Sequence, residues 1–422
     1  MCQWHMFSTD RSGAETWECV ARSNPQAQTL QAMKGMKTLS SGRNRRKWIY
    51  VLLLMGLLGL SGCGSPSSAS VEMSSQTELV KTGSMELQYA ENFAVDYYED
   101  GYKMLTTLPD SKRYLIVPEG QPVPRGLDED VSILQEPLQN IYLVASGVMD
   151  MFASVDAVDQ IRFSGQKQEN WYIQTAKDAM AAGDMIYAGK YSKPDYELLV
   201  SEGCDLAIEN RMITHSPEVV EMLQSFGIPV MIEYSSYEQH PLGKVEWVKF
   251  FGALTGKEAE AEEAFAEQTE ILEKVERGEK TGKTIAFFYV TSNGLIQVRQ
   301  STDYIPKLIE LAGGRYIFED LEDSGSGRST LNMQVEDFYA GAKDADILIY
   351  NSSIDGGVTT LDELIGKCNI LKDFKALQEG QVYCTTNDMY QQSMAIGYLL
   401  QDMHTVLTDD DTAKLRYLFL LQ

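Results

Sequence analysis

The chain is short of the residues that metal and thiol chemistry require. Only 4 of its 422 residues are histidine. His5 lies ahead of the basic and apolar stretch described below, which leaves His215, His240 and His404. His215 precedes Ser216-Pro217 at a helix start, where a surface or capping role is the default, and His240 sits in the polar loop Tyr237-Glu238-Gln239-His240-Pro241. Three dispersed imidazoles argue against a site for a bare transition-metal ion. Of 6 cysteines, Cys2, Cys19 and Cys63 precede the main body, and Cys204, Cys368 and Cys384 remain. An odd number without CxxC spacing excludes a zinc knuckle and a disulfide framework. A Cys368–Cys384 bridge stays open beside the alternative of buried free thiols.

Positive charge is scarce as well: 36 Lys and Arg stand against 61 Asp and Glu, a formal net charge of −25. This argues against binding nucleic acid or an anionic membrane surface. Disorder does not explain the acidity, because 44% hydrophobic residues are ample for packed cores. No GxSxG, HExxH or calcium-loop pattern occurs. The run Gly278-Glu279-Lys280-Thr281-Gly282-Lys283-Thr284 has three residues between its glycines where a Walker loop needs four. It also leads from helix into strand, whereas phosphate binding requires a loop that opens a helix. Gly325-Ser326-Gly327-Arg328 reads as a flexible connector.

What is present begins with a signal. Arg43-Asn44-Arg45-Arg46-Lys47 precedes the apolar run Trp48 to Leu60, too short for the roughly twenty residues that span a bilayer. Leu60-Ser61-Gly62-Cys63 resembles a bacterial lipobox, which makes Cys63 the expected lipidated first residue of a mature lipoprotein. The polar stretch Gly64 to Ser70 then reads as a tether. Met33 or Met36 would each start such a signal normally, so residues 1–32 are excluded from fold reasoning.

The expected layout is a leader and signal peptide over 1–62, a lipidated cysteine and tether over 63–84, and an N-terminal α/β lobe over 85–257. An interlobe helix over 258–280 and a C-terminal α/β lobe over 281–422 complete it. Short strands are expected at Leu87-Gln88-Tyr89, Phe93 to Val95 and Tyr114 to Val117, followed by a proline-rich loop. From Ile141 the rhythm becomes strand, loop, helix, which implies mainly parallel sheets covered by helices. Glu258 to Arg277 lacks Gly and Pro and places Ala261, Phe265, Leu272 and Val275 on one face, a helix near 30 Å long joining two α/β blocks.

Several segments, in order, resemble the ABC-transporter substrate-binding lipoproteins that serve iron–siderophore, haem and cobalamin uptake. They are Tyr191 to Leu199 with Cys204 to Ile208, Leu223 to Val230, Ile309 to Gly314, and Gln334 to Phe338 with Ala345 to Ile349. The resemblance covers roughly 140–400 and implies two α/β lobes on a rigid helix, with the solute in the cleft between them. It implies a protein without catalysis and without a permanently bound cofactor, whose ligand is an iron chelate or a corrinoid. Its partners would be an ABC permease with its ATPase, and it would work as a monomer held by lipid on the outer face of the membrane. Glu197 and Glu336 match the family's permease-docking glutamates, and each also opens a helix, where a carboxylate favours the dipole. Loop position nominates Arg162, Trp171, Tyr172, Tyr191, Arg211 and His240 in the first lobe for ligand contact. Arg299, Asn351, Tyr390 and Gln391 are nominated in the second, and each could equally be a surface or core residue. Arginines would suit anionic groups of a chelate and aromatics a flat apolar face. Residues 85–130 precede the first family-like strand. The rivals are an enzyme or chelatase using Cys204 or His240, and an adhesion or sensory lipoprotein.

Overall fold

The computed structural model describes residues 79–321, 329–352, 357–410 and 414–422, together with the backbone of 3–9 and 15–20. The chain falls into two compact units, Met1–Met73 and Ser74–Gln422. In the first, Gln3–Thr9 pairs antiparallel with Glu15–Val20, within a stretch the sequence reading leaves out of the fold. Cys63, the apolar run and most of the tether lie outside the described residues. Among those described, no helix is long and apolar enough to cross a membrane.

The second unit opens with a five-stranded sheet in which β1 (Lys81–Ser84), β2 (Phe93–Tyr98), β3 (Lys103–Thr107), β4 (Lys112–Val117) and β5 (Val131–Gln135) lie in chain order. The first four strands are antiparallel and β5 runs parallel to β4. Strand β1 therefore uses residues assigned from sequence to the tether. The stretch expected as a strand at 87–89 is not one. Its backbone is taken up by two buried carboxylates of the next layer: Glu246 accepts from the N–H groups of Gln88, Tyr89 and Ala90, and Glu238 from those of Glu91 and Asn92.

The first lobe follows as β6 (Ile141–Leu143), α1 (Val148–Ser154), β7 (Ile161–Ser164), α2 (Gln174–Ala182), β8 (Ile186–Tyr187), α3 (Tyr196–Ser201), β9 (Leu206–Asn210), α4 (Pro217–Ser225) and β10 (Val230–Glu233). Its sheet is wholly parallel, in the order β8-β7-β6-β9-β10. The chain starts in the middle, at β6, and winds outward both ways. That places a topological switch point between β6 and β9, where open parallel sheets bind ligands.

Two helices carry the chain to the second lobe, where the sequence reading expected one. Helix α5 (Pro241–Thr255) is unanticipated, and every residue from Pro241 to Leu254 is buried. A helix buried on all sides belongs to the core, and its three charged residues, Lys244, Glu246 and Lys249, are buried with it. Here Trp247, Phe250 and Phe251 join Phe152 of α1, Phe93 of the first sheet and Ile305 and Leu308 of the second lobe in one continuous apolar cluster. Gly256, in the left-handed region at φ 72°, ends α5 and reverses the chain into α6 (Glu258–Glu276), the expected acidic helix. Ala261, Phe265, Leu272 and Val275 are buried on the face predicted for them.

The second lobe comprises β11 (Thr284–Val290), β12 (Ile296–Arg299), α7 (Tyr304–Leu311), β13 (Thr330–Met333), α8 (Val335–Ala342), β14 (Ile347–Tyr350), α9 (Leu361–Lys367), α10 (Lys375–Gln378), β15 (Val382–Thr385), α11 (Ile396–Thr408) and β16 (Leu418–Leu420). Strands β11, β14 and β15 are parallel, while β12, β13 and β16 add antiparallel edges. The final long helix begins at Ile396, after Gln391 and Met394 have made the junction with the first lobe described below.

Candidate functional site

A cavity of about 310 Å³ lies between the two lobes at the switch point of the first sheet. From the first lobe it receives Ser146 and Gly147 after β6, Asn210 and Arg211 after β9, and Glu233, Ser235 and Tyr237 after β10. Asn210 accepts the Met212 N–H at 2.8 Å, which turns the chain sharply and sets the Arg211 guanidinium 4.5 Å over the Tyr237 ring. One oxygen of the buried Glu233 carboxylate accepts both the N–H and the hydroxyl of Ser235, at 2.8 and 2.6 Å. Burial pushes this carboxyl above its ordinary range.

Helix α5 supplies Lys244, which is 7% exposed and lies 4.8 Å over the ring of Tyr304. From the second lobe come Arg299, Tyr304, Met389 and Tyr390. Antiparallel pairing sets Val298 opposite Phe288, so that Arg299 follows beside Phe287, and Arg299 reaches Asp303 at 3.3 Å. That carboxylate holds the guanidinium above its already high range, while burial raises Asp303 itself.

One flank of the cleft is fastened. The fully buried Gln391 accepts the Tyr172 N–H at 2.8 Å, donates to the Asn170 carbonyl at 2.8 Å and touches the Tyr390 hydroxyl at 3.0 Å. Asp150 of α1 accepts the Met394 N–H at 2.7 Å across the same junction. Its carboxyl is pushed up to about 6 by burial, against the pull of that bond and of Lys244.

The nominated residues therefore separate. Arg211, Arg299 and Tyr390 line the cavity, and Tyr172 and Gln391 form its fastened flank. His240 caps α5, its Nδ1 accepting the Leu242 N–H at 3.1 Å, and stacks on Tyr89 at 4.4 Å. Burial and Lys307 lower its pKa, consistent with a neutral ring whose lone pair is in use, and it borders a separate groove of about 360 Å³ with Asp303 and Lys307. Four nominees stand elsewhere. Arg162 is the second residue of its strand and points to the sheet's amino end, where it grips Glu202 at 2.9 Å and the carbonyls of Gly183 and Asp184. Trp171 is buried with its indole N–H on the Ser164 hydroxyl. Tyr191 packs on the outer apolar cluster of the first lobe, and Asn351 is buried after β14 outside the cavity. A larger groove of about 970 Å³ opens beside Arg162 at the amino ends of β6 and β7, the wrong end of a parallel sheet for ligand capture.

Glu197 and Glu336 are both exposed, in the first turns of α3 and α8, and neither forms an ion pair among the described residues. Cys204, Cys368 and Cys384 are buried free thiols, so no bridge joins the last two. Burial pushes the Cys204 thiol up to about 12, far from a thiolate nucleophile at neutral pH. Lys244, Glu233, Tyr237 and Tyr304 were not anticipated. The sequence offered little signal, because Lys244 is one of three charged residues, with Glu246 and Lys249, in the helix 241–255.

No protein-family model matches the chain. An uncharacterized lipoprotein of Methanocaldococcus jannaschii is 24% identical over 394 residues, covering 85% of this chain and 92% of the relative. A second uncharacterized lipoprotein of that organism is 23% identical over 367 residues, covering 82% and 90%. Among solved structures, a periplasmic haem-binding protein of Vibrio cholerae superposes with a TM-score of 0.51 at 14% identity, over 63% of this chain and 98% of its own. A possible iron-binding, periplasmic solute-binding protein of Staphylococcus epidermidis gives 0.50 at 17%, over 64% and 98%. The chain carries the solute-binding-protein fold. An Fe³⁺-hydroxamate transport protein of Saccharomonospora viridis matches with 0.50 at 16%, over 64% and 90%.

Proposed function

We propose that this protein is the capture component of an ABC importer: it holds a metal chelate of the iron–siderophore type in the interlobe cleft and hands it to a permease. The observation that carries the reading is the gathering of Arg211, Lys244 and Arg299 around one switch-point cavity in a chain whose net charge is −25. Cations concentrated against the overall field favour an anionic solute. The aromatic rings of Tyr237, Tyr304 and Tyr390 supply apolar faces for its organic part. The lipoprotein relatives and the Cys63 motif support attachment outside the membrane, where a tether raises the effective concentration at the permease. Exposed Glu197 and Glu336, one per lobe, supply the docking charges.

The test pairs binding with transport. Protein purified from its native host is scanned for a ferric, haem or corrinoid absorption band, and the Glu197→Ala/Glu336→Ala protein is compared with wild type. The expected result is a bound chromophore, unchanged chelate affinity in the double variant, and uptake reduced at least about tenfold, as for two lost charge pairs. Unaltered uptake would remove the docking role, and a colourless protein that ignores all three ligand classes would remove the capture role.

A further inference from the structure

We propose that Lys244 is the charge anchor of the cleft, donating to a carboxylate oxygen of the solute, and that the solute is a compact chelate with carboxylate arms, not a tetrapyrrole. The inference rests on the capture reading above and narrows it.

Lys244 is 7% exposed, yet among the described residues its ammonium has no hydrogen-bond or ion-pair partner. It lines the cavity and is held there by the Tyr304 ring. A buried cation without a partner is costly, and a position of this kind persists where something else completes it. The neighbouring carboxylates do not do so. Asp150 is committed to the Met394 N–H, Asp303 to the Ile305 N–H and Arg299, and one oxygen of Glu233 to Ser235. They temper the charge of Lys244 from a distance and leave its N–H donors facing the cavity.

The other buried charges of α5 show the contrast. Glu246 accepts three backbone N–H groups, and Lys249 pairs with Glu262 at 2.8 Å. Lys244 alone of the three has no such partner.

On the same wall the second oxygen of Glu233, Oε1, takes no hydrogen bond among the described residues. A carboxylate oxygen of the solute on Lys244, with a protonated group not bound to the metal on Glu233, would satisfy both side chains. Arg211 and Arg299 border the same space and add positive charge to it. A neutral hydroxamate complex would leave the ammonium unpaired. The cavity, about 310 Å³, stands at the bottom of the usual range of about 300–1,000 Å³ for ligand pockets, which favours a compact solute over a macrocycle.

The test is calorimetric titration of the full-length, detergent-solubilised protein with three probes: ferric citrate, ferrioxamine B and haemin. Ferric citrate is expected to bind at least about thirtyfold more tightly than the other two. Lys244→Gln should weaken it about 10- to 150-fold, the range for a lost charge-assisted contact, and Lys244→Arg should restore part of the loss. Lys244→Met should fold with a urea midpoint close to wild type, because no hydrogen bond or ion pair among the described residues is lost. Haemin or ferrioxamine B binding as tightly as ferric citrate, or Lys244→Gln within threefold of wild type, would overturn the assignment while leaving capture of a chelate standing. Binding of none of the three would overturn both.

Discussion

Removal of the Glu246 carboxylate should unfasten the first sheet from the rest of the molecule. Glu246 is fully buried on α5 and accepts the N–H groups of Gln88, Tyr89 and Ala90 at 2.8 to 3.1 Å. It also lies 3.6 Å from Lys249. Each backbone bond to a charged acceptor is worth about 1.5–3 kcal/mol net. The three do not simply add, because the space left by Glu246→Ala admits water to the stranded amides, and Lys249 keeps Glu262 as a partner. The expected loss is about 3–5 kcal/mol, the range for breaking a buried charged contact from one side. At about 2 °C per kcal/mol for a unit of this size, Tm should fall by about 6–10 °C. Glu246→Gln keeps the shape but turns an amide N–H toward donors, and should cost about 2–3 kcal/mol. Urea unfolding measures the loss, and hydrogen exchange locates it at the amides of 88–90. A Glu246→Ala protein within about 0.5 kcal/mol of wild type, with those amides exchanging at the wild-type rate, would refute the clamp.

Two further perturbations probe the lobes. Glu209 is buried in β9 with neither oxygen hydrogen-bonded among the described residues, and burial raises its carboxyl to about 8. The folded state therefore holds a proton that the unfolded state has released above about 4.5, so this group makes stability fall as pH rises from about 4.5 to 8, by up to about 1.4 kcal/mol per unit. Glu209→Gln should match wild type near pH 4 and exceed it progressively toward pH 8, with urea midpoints across that range as the measurement; parallel profiles would count against it. Gln391→Ala strands the Tyr172 N–H and the Asn170 carbonyl, and should cost about 1–3 kcal/mol while speeding exchange at Tyr172. An unaltered Tyr172 amide would show that the junction is held by other contacts, such as Asp150 with the Met394 N–H.

The division between sequence and tertiary structure follows the range of the interactions involved. Alternating short apolar runs and helical spacing define the two α/β lobes, and the 3.6-residue rhythm of Ala261, Phe265, Leu272 and Val275 defines α6, because these patterns are local. First-turn positions put Glu197 and Glu336 on the surface by the same local logic. The alternation of strands and helices also implies parallel sheets, whose carboxyl-end loops border the cavity between the lobes. Which loop residues enter it is another matter. Arg162 and Arg211 look alike in sequence, but one is second in its strand and the other follows the last residue of its strand, so only Arg211 reaches the cavity. Residues 87–89 have the composition of a strand and became a carboxylate-bound loop because Glu246, over 150 residues away in the chain, takes their N–H groups. Lys244 likewise became a cleft residue only when α5 was buried between the lobes. A local pattern registers a lysine there as one of three charged interruptions, and the surrounding fold decides that Lys244 faces a cavity while Glu246 and Lys249 find partners.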